Sequence, residues 1–310
     1  MIVTVTMNPA VDQTAWVERL EPGEVHRVLE THLDPAGKGI NVSRMAHRLG
    51  WPTIAFGFVA GEIGNLVARA LDAERVQHHF VRISGQTRVN TTLVERENGR
   101  ASSFYAPGPA VPPDAAQSLD ALLRFWIQAG RVLVLAGSLP PGIPANAYAD
   151  YVRVAKRLGV KVIVDSDGNS MREAVAAVPD LIKPNVAEAE RLLERKLPDL
   201  ASIRLAAREL AGRGIGTVII SMGADGALCI DQNRTWHVHP LVVQRHSTVG
   251  SGDSMIAGLA VALARGGSIE EGLRLGTAAG AATAMTPGTA LGTSAEVAEL
   301  LPRVRLEELP

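Results

Sequence analysis

Short apolar runs alternate with longer amphipathic runs along most of this chain, and this alternation restricts the folds that it can adopt. In the longer runs, apolar residues recur every three or four positions, as at Leu119, Leu122 and Leu123. That period is typical of helices that pack one face against a core. Strands alternating with helices form βα units, so we predict an α/β fold with a largely parallel sheet.

No Ser/Gly-rich or charge-rich stretch divides the chain, so we predict a single domain over residues 1–310. The predicted core strands are residues 2–6, 53–59, 132–136, 161–165, 181–183 and 217–221. The predicted helices are residues 39–49, 64–72, 113–129, 145–158, 186–193, 203–212, 253–265 and 269–285.

Two segments interrupt the alternation, at about residues 11–33 and 87–106. Both are rich in Val and Thr and alternate polar with apolar residues, and the second contains Asn98-Gly99, a strong hairpin signal. We predict that these segments pair into a small sheet that covers a site as a lid. Ordinary edge strands of the main sheet would have the same pattern.

Charge, hydropathy and cysteine content exclude several classes of protein. The net charge is -1, which gives no global positive field for nucleic acid, and no apolar run approaches the ~20 residues that cross a bilayer. The first residues alternate like a strand and lack the basic segment of a signal peptide. The single cysteine, Cys229, suits a reducing compartment, so we predict a cytoplasmic protein that binds neither nucleic acid nor membrane.

The segment Ser247-Thr248-Val249-Gly250-Ser251-Gly252-Asp253-Ser254 precedes an apolar helix and carries the strongest chemical signal. Two glycines leave backbone N–H groups unobstructed, and a helix start adds the positive end of its dipole, so the segment can hold an anion. Asp253 stands in the first turn, where it could take a proton from a hydroxyl that attacks this anion. A tight turn with an aspartate that caps the helix would have the same sequence.

A second glycine-rich helix start lies at residues 35–44. Lys38, Asn41 and Arg44 follow one another at three-residue spacing, which predicts one helix face with two cations and an amide near the N-terminus. These groups suit a phosphate, although solvated surface cations would be spaced alike. The segment is not a Walker A loop, because Lys38 is followed by Gly39 instead of Ser or Thr.

Two further turns follow predicted strands. In Lys183-Pro184-Asn185-Val186-Ala187-Glu188, Asn185 and Glu188 come at the carboxyl end of a strand, where open α/β sheets bind ligands. Glu188 could hold Mg²⁺ through water, and a capping box from Asn185 to Glu188 is the structural alternative. The turn Ser221-Met222-Gly223-Ala224-Asp225-Gly226 suits a nucleotide phosphate that passes close to the backbone, although such turns are common.

Together these segments resemble the ribokinase-like (PfkB) carbohydrate kinases, and within them the hexose-phosphate kinase branch. The resemblance covers nearly the whole chain in the family's order. It includes residues 4–12, 36–44, 87–90, 136–142, 165–166, 183–188, 221–226 and 248–254. It implies a three-layer sandwich with a mostly parallel central sheet and a small β-sheet lid.

The resemblance also implies a role for each matching residue. Asp253 matches the position of the family's catalytic base. Gly250, Ser251 and Gly252 match the anion hole, whose backbone N–H groups stabilise the transferring phosphoryl group. The residues that resemble substrate contacts are Asp12, Gly37, Lys38, Gly39, Asn41, Arg44, Arg88, Asn90 and Ser138. Those that resemble ATP contacts are Lys183, Asn185, Ser221, Gly223, Ala224, Gly226 and Thr248, with Glu188 at Mg²⁺. A monovalent cation near Val249 and Thr283 and a homodimer formed through the lid are further expectations.

The substrate expected from the resemblance is a sugar phosphate together with ATP. Lys38 resembles the residue at this position in the fructose-1-phosphate and tagatose-6-phosphate kinases. The segment Pro287-Gly288-Thr289 instead resembles that of the 6-phosphofructokinases. We rank fructose 1-phosphate first, fructose 6-phosphate second and tagatose 6-phosphate third. A kinase of nucleosides or unphosphorylated sugars, or a non-catalytic nucleotide-responsive regulator, is the alternative.

Two other site classes fit less well. The sequence after Gly250 lacks the third glycine of the dinucleotide fingerprint, which disfavours a dehydrogenase. The adjacent His78 and His79 would point to opposite faces of a strand, so they cannot share a metal. His237 and His239 would share a strand face, and we expect an ordinary strand face there and no metal site.

Overall fold

The computed structural model describes residues 1–127, 132–232 and 234–310. The strands are β1 (Ile2–Thr6), β2 (Ala10–Val17), β3 (Glu30–Ala36), β4 (Thr53–Ala60), β5 (Gln77–Ile83), β6 (Arg88–Glu95), β7 (Ala101–Phe104), β8 (Val132–Ala136), β9 (Lys161–Asp165), β10 (Leu181–Ile182), β11 (Thr217–Ser221), β12 (Ala227–Asp231), β13 (Arg234–Val238) and β14 (Leu306–Leu309). The helices are α1 (Lys38–Arg48), α2 (Gly61–Ala73), α3 (Pro113–Trp126), α4 (Ala147–Arg157), α5 (Gly168–Ala176), α6 (Val186–Leu193), α7 (Leu200–Gly212), α8 (Ser251–Arg265), α9 (Ile269–Ala284) and α10 (Ser294–Leu300).

The larger sheet has ten strands in the order β14-β13-β12-β11-β10-β9-β8-β1-β4-β5. The seven neighbouring strands β11, β10, β9, β8, β1, β4 and β5 run parallel to one another, and β12, β13 and β14 continue the sheet antiparallel. The predicted α/β fold with a mostly parallel sheet is therefore confirmed. Parallel strands place their carboxyl ends at one edge, and this edge carries the loops after β1, β8, β9, β10 and β11.

Helices cover both faces of this sheet because its strands are apolar on both sides. Val3 and Val5 of β1 point to one face, where they pack in a core with residues of α3, α4, α5 and α7. Ile2 of the same strand points to the other face, into a core formed with α1, α8, α9 and α10. The alternation of side chains along each strand thus builds the three predicted layers.

Four strands form the smaller sheet, in the order β3-β2-β6-β7. β2 pairs parallel with β6 and antiparallel with β3, and β6 and β7 form a hairpin whose turn contains Asn98 and Gly99. Gly99 has a φ of 71°, a left-handed conformation that glycine adopts without steric cost. The small sheet predicted from segments 11–33 and 87–106 is therefore present as a separate sheet.

The sequence predicted most elements but not all of them. All six core strands and all eight helices are present within a few residues of their predicted bounds. The helix predicted over residues 113–129 ends at Trp126, and residues 128 and 129 lie outside the described residues. Helices α5 and α10 and strands β5, β12, β13 and β14 were not among the predicted core elements. Helix α5, helix α10 and strand β14 are each short and largely polar on the exposed side. In the described ranges, no helix combines the length and the apolar composition needed to span a bilayer.

Candidate active site

A cavity of about 640 Å³ lies beside the carboxyl-end edge of the parallel strands. Its walls combine the turns after β10 and β11, the start of α1 and the start of α8, which are far apart in sequence. The predicted site residues that line it are Lys38, Lys183, Asn185, Glu188, Ser221, Gly223, Ala224, Gly226, Thr248, Ser251, Gly252 and Asp253. The fold thus brings together the start of α1 and three turns that the sequence analysis identified separately.

The first turn of α8 forms one end of this cavity. Gly250 precedes the helix with a φ of 78°, a left-handed conformation that allows the chain to turn sharply into α8. A Cβ atom on Gly252 would lie 3.1 Å from Nζ of Lys183, so the ammonium group stands directly beside the helix tip. Ser251 Oγ is buried without a hydrogen-bond partner among the described residues. Unpaired amides, the helix dipole and Lys183 together make this tip attractive to an anion.

Asp253 is the acidic group of this helix tip. It is 8% exposed, and its Oδ2 atom accepts a hydrogen bond of 2.8 Å from Nδ2 of Asn41 in α1. Burial and, to a smaller extent, the charge of Asp165 raise the pKa of Asp253, whereas Lys38, Asn41 and Lys183 lower it, and the net result is a pKa of about 6. A carboxyl group with a pKa near 6 is deprotonated at neutral pH yet basic enough to accept a proton from a hydroxyl.

Lys38 joins the carboxylates around the cavity. Its Nζ atom lies 3.1 Å from Oδ1 of Asp165 and 3.7 Å from Oε1 of Glu188. Burial opposes the charge of Lys38, but the carboxylates of Asp165, Glu188 and Asp253 outweigh this and raise its pKa. Asp165 is fully buried, and the charges of Lys183 and Lys38 nevertheless lower its pKa. The site therefore favours the charged forms of both Lys38 and the Asp165 carboxylate within one cluster.

Glu188 uses its two oxygens differently. Oε2 accepts a 2.8 Å hydrogen bond from the backbone N–H of Asn185, and the Asn185 side chain accepts one from the backbone N–H of Glu188. The capping box considered as an alternative is therefore formed. Oε1 is directed towards Lys38 and the cavity, so the cap leaves one carboxylate oxygen able to meet a ligand.

A second polar cluster lies where the small sheet meets the edge of the large one. Asp12 of β2 stands directly opposite Asn90 of β6 in register, and its Oδ1 atom accepts a 2.8 Å bond from the Asn90 side chain. Burial raises the pKa of Asp12, with Asn90 and Arg88 acting in the opposite direction. Arg88 donates to the backbone oxygens of Ala106 and Asn8 at 2.9 and 3.0 Å. One carboxylate and one guanidinium thus share this cluster.

The two clusters adjoin each other. Asn8 donates a 3.3 Å bond to Ser138 Oγ, and Gly137, the residue before Ser138, lies 4.0 Å from Cβ of Lys38 when a Cβ is built on it. The side-chain oxygens of Asn8, Asn41 and Asn90 and the Nε of Arg88 are buried without partners among the described residues. Buried polar atoms without partners are rare in native proteins, so these atoms mark places where a ligand can bond.

The sequence pattern of the pfkB family carbohydrate kinases matches residues 5–296 of this chain. The 1-phosphofructokinase of Vibrio cholerae is 34% identical over 308 residues, which cover 99% of this chain and 97% of that enzyme. The chain belongs to the pfkB family. The 1-phosphofructokinase of Rhodobacter capsulatus is also similar to this pfkB chain, with 36% identity over 310 residues, 100% of this chain and 98% of that enzyme.

A crystal structure of phosphofructokinase-2 from Escherichia coli in complex with substrates and products has the same fold. Its TM-score to this pfkB kinase is 0.92 at 32% identity, covering 97% of this chain and 98% of that chain. The ribokinase-like three-layer fold with a small separate sheet is therefore confirmed.

Arg44 was predicted to be a site residue, but its side chain lies against Glu74 and Pro35 and does not line the cavity. Its Nε donates to both carboxylate oxygens of Glu74 at 3.0 and 3.1 Å, and Nη1 donates to the backbone oxygen of Pro35. Residues six apart on a helix are rotated by about 120° around its axis, so Arg44 turns away from Lys38. The placement of Arg44 among the substrate contacts is wrong, and the residue instead holds α1 against α2 and β3.

Gly37 and Gly39 allow close packing at the start of α1. A Cβ atom on Gly39 would lie 2.6 Å from Thr6 Oγ1, and one on Gly37 would lie 2.7 Å from Thr6 Cγ2. Gly37 also has a φ of 133°, which side chains rarely adopt. The two glycines therefore set α1 directly against β1, and this contact positions Lys38 and Asn41 in the pfkB kinase.

The sequence analysis gave no role to three residues of the site. Asp165 was noticed only as part of a family pattern, yet it pairs with Lys38 in the centre of the site. Its position at the carboxyl end of a buried strand was the available signal. Asn8 contacts Arg88 and Ser138, and Tyr105 lines the cavity from the loop after β7. Asn8 lies within the segment 4–12 that resembles the family, but no local pattern predicts the contacts of either residue.

Proposed function

We propose that this protein transfers the γ-phosphoryl group of ATP to fructose 1-phosphate and forms fructose 1,6-bisphosphate. The observation that carries the proposal is the buried carboxyl of Asp253, whose pKa of about 6 and place at an amide-lined helix tip suit a base in phosphoryl transfer. The relatives from Vibrio cholerae and Rhodobacter capsulatus are 1-phosphofructokinases and match the chain over nearly its full length.

The cavity beside α8 is the proposed ATP site. Its volume of about 640 Å³ suits a nucleotide, and its walls change from charged groups near Asp253 to apolar ones near Leu241 and Ala281. We place the phosphates near Gly252 and Lys183 and the base near the apolar wall. Glu188 and Asn185 fit Mg²⁺ held through water, since Oε1 of Glu188 is not used by the cap. When bound, Mg²⁺ neutralises charge on the phosphates.

The sugar phosphate is proposed to bind between the small sheet and the start of α1. Asp12 and Asn90 offer paired polar groups for sugar hydroxyls, and Arg88 offers the guanidinium that suits a phosphate. Lys38 and Asn41 lie between this cluster and Asp253. In a monosaccharide bound in that gap, the hydroxyl that accepts the phosphoryl group would face the proposed ATP cavity.

The proposed reaction is a direct transfer. The oxygen of the C6 hydroxyl bonds to the γ-phosphorus, the bond from that phosphorus to the β–γ bridging oxygen breaks, and the hydroxyl proton moves to Asp253. The amides of Gly252 and Asp253, together with Lys183, stabilise the negative charge on the transferring group. Asn41 holds Asp253 through its 2.8 Å bond and fixes the direction in which the carboxylate faces.

Fructose 6-phosphate is the second candidate substrate. Thr289 donates a 2.7 Å bond to Asp34 of β3, so the segment that is similar to 6-phosphofructokinases reaches the small sheet next to Asp12. The match to phosphofructokinase-2 from Escherichia coli also favours it. Tagatose 6-phosphate is third, and a kinase of unphosphorylated sugars or a regulator is more remote.

A substrate panel tests the proposed function. With Mg-ATP fixed, ADP formation would be measured with fructose 1-phosphate, fructose 6-phosphate, tagatose 6-phosphate and free fructose. We expect the highest kcat/KM with fructose 1-phosphate. A higher kcat/KM with either hexose 6-phosphate would show that this compound, and not fructose 1-phosphate, is the preferred substrate. Turnover of free fructose alone would contradict the proposal of a sugar-phosphate kinase.

Replacing Arg88 by Gln tests the phosphate contact. Hydrogen bonds to charged groups contribute about 1.5–3 kcal/mol, so we expect the KM for fructose 1-phosphate to rise about 10- to 100-fold. The KM for Mg-ATP should change little, because Arg88 is not among the residues that line the cavity. Steady-state kinetics with each substrate varied in turn would measure both values.

Arg82→Gln is the matched control, because Arg82 is exposed on β5 and bonds to the half-buried Asn65. It should leave both KM values unchanged. If Arg88→Gln raised the KM for fructose 1-phosphate and the KM for free fructose by the same factor, Arg88 would not be a phosphate contact.

The remaining proposals concern organisation. We propose that residues 1–310 act as one domain in which the small sheet closes over the sugar as a lid. Leu33 and Phe104 of the small sheet are 53% and 57% exposed, so a second copy could cover this face in a homodimer. A cytoplasmic location and a monovalent cation near Val249 and Thr283 also remain proposals, supported by the family resemblance.

A further inference from the structure

Three potential metal ligands lie together on the antiparallel side of the large sheet. His237 lies in β13, His239 follows two residues later on the same face, and Glu307 of β14 stands directly opposite His237 in register. One ligand atom from each of the three lies within 4.8 Å of those of the other two. The sequence analysis saw only the two histidines, because Glu307 comes 68 positions after His239.

We propose that His237, His239 and Glu307 bind a transition metal ion with the preferences of Zn²⁺. Two imidazoles and one carboxylate are a known ligand set for zinc, with water in the fourth position. Calcium and magnesium prefer oxygen ligands throughout, so the two imidazoles disfavour them. The three ligands do not include Glu188, the proposed Mg²⁺ contact, although His239 lines the same cavity.

The geometry needs only small side-chain rotations. Zinc binds nitrogen and oxygen at about 2.1 Å, so neighbouring ligand atoms in a tetrahedral site are about 3.4 Å apart. Nε2 of His239 and Oε2 of Glu307 are already 2.9 Å apart, and the two imidazole ring centres are 4.4 Å apart. The pairing of β13 with β14 fixes the backbone at His237 and Glu307, and the backbone N–H of His239 donates a 3.0 Å bond to the backbone oxygen of Arg305, so rotation of the rings can bring the third ligand atom into range.

A supporting contact orients one of the rings. Nε2 of His237 lies 3.2 Å from the backbone oxygen of Asp225, where a neutral ring would donate its N–H. Such a bond leaves the lone pair on Nδ1 for a metal, and histidine ligands usually donate their other N–H in this way. Asp225 ends the short 3-10 turn that begins at Gly223, and His239 lines the same cavity as that turn. The metal would therefore sit in the wall of the proposed nucleotide cavity.

The alternative is an ordinary ion pair between His239 and Glu307 on a half-exposed strand face. An ion pair needs one histidine and has no preference for a metal, whereas the proposed site needs all three side chains. Even a group that only supports a ligand alters metal affinity about 10- to 100-fold. We therefore expect loss of either histidine to weaken binding by at least about 100-fold.

The test uses the full chain, purified without a polyhistidine tag and without nucleotide. Calorimetric titration with Zn²⁺ would give stoichiometry and affinity, and Co²⁺ as a replacement would report the coordination number through its visible absorption. We expect one equivalent of metal, a four- or five-coordinate Co²⁺ spectrum, and loss of both signals in His239→Ala and in Glu307→Gln. Because both side chains are on the sheet surface, both variants should remain folded.

His78→Ala is the control, since His78 pairs with Asp72 away from this cluster. It should bind Zn²⁺ as the unchanged protein does. Equal binding by the unchanged protein, His239→Ala and Glu307→Gln would overturn the proposal, and so would a Co²⁺ spectrum typical of six oxygen ligands.

Discussion

Asp253→Asn should lower kcat with fructose 1-phosphate by about 10²–10⁴-fold, because general-base catalysis supplies a factor of that size. Asparagine has the shape of aspartate, and its side-chain oxygen can still accept the bond from Asn41. It cannot accept the proton of the attacking hydroxyl. The KM for Mg-ATP should change much less, since the helix tip and Lys183 remain. Initial rates of ADP formation at saturating substrates would measure the loss.

The same variant should be more stable than the unchanged protein at neutral pH. The folded-state pKa of Asp253 is about 6, above its ordinary value of 3.8, so the native state holds this proton more tightly. The free energy of unfolding therefore falls as pH rises from about 4 to 6, and the loss persists above that window. This shift corresponds to about 3 kcal/mol, which a neutral amide at this position would recover in part.

Urea unfolding at pH 8 would measure that gain, with Asp120→Asn as control. Asp120 is half-exposed on α3 and pairs with Arg124. Its replacement should leave kcat unchanged and should not stabilise the fold. An Asp253→Asn protein that lost activity through misfolding would be less stable than the unchanged protein. If the Asp253→Asn protein kept more than a tenth of kcat, Asp253 would not be the general base.

The sequence predicted the site as separate segments, and it could do so because each segment has a local physical signature. Gly250, Gly252 and Asp253 are neighbours at a helix start, and Asn185 and Glu188 follow one strand. The chain order of strands and helices then sets which turns share an edge of the sheet. The cavity lined by these turns is a consequence of topology, which the alternation of elements indicated.

Pairing between distant side chains was beyond the sequence. Asn41 and Asp253 are 212 positions apart, and no local pattern shows that one donates to the other. Arg44 was misplaced because three-residue spacing was read as a shared face over two turns, while Glu74, directly after α2, is its partner. Asp165 was given no role, since its importance comes from Lys38, which is 127 positions away in the sequence. Such contacts depend on tertiary packing.

Lys38→Met should change both the rate and its pH dependence, because Lys38 is the charge that couples the acidic groups of the site. Its ammonium lies 3.1 Å from Asp165, and its charge lowers the pKa of Asp253. Without it, the pKa of Asp253 should rise above 6. A base acts only when deprotonated, so activity falls as pH drops through this pKa, and the acid limb of kcat/KM should move to higher pH.

The rate should also fall by about 10²-fold, the effect of removing one group that stabilises developing charge. Profiles of kcat/KM from pH 5.5 to 9 would show both changes, and Lys161→Met is the control, because Lys161 pairs with Asp180 on the surface. A rate loss with an unmoved acid limb would mean that Lys38 positions substrate without tuning Asp253. An unchanged rate would show that Lys183 and the amides of α8 suffice, which would place the reacting phosphoryl group away from Lys38.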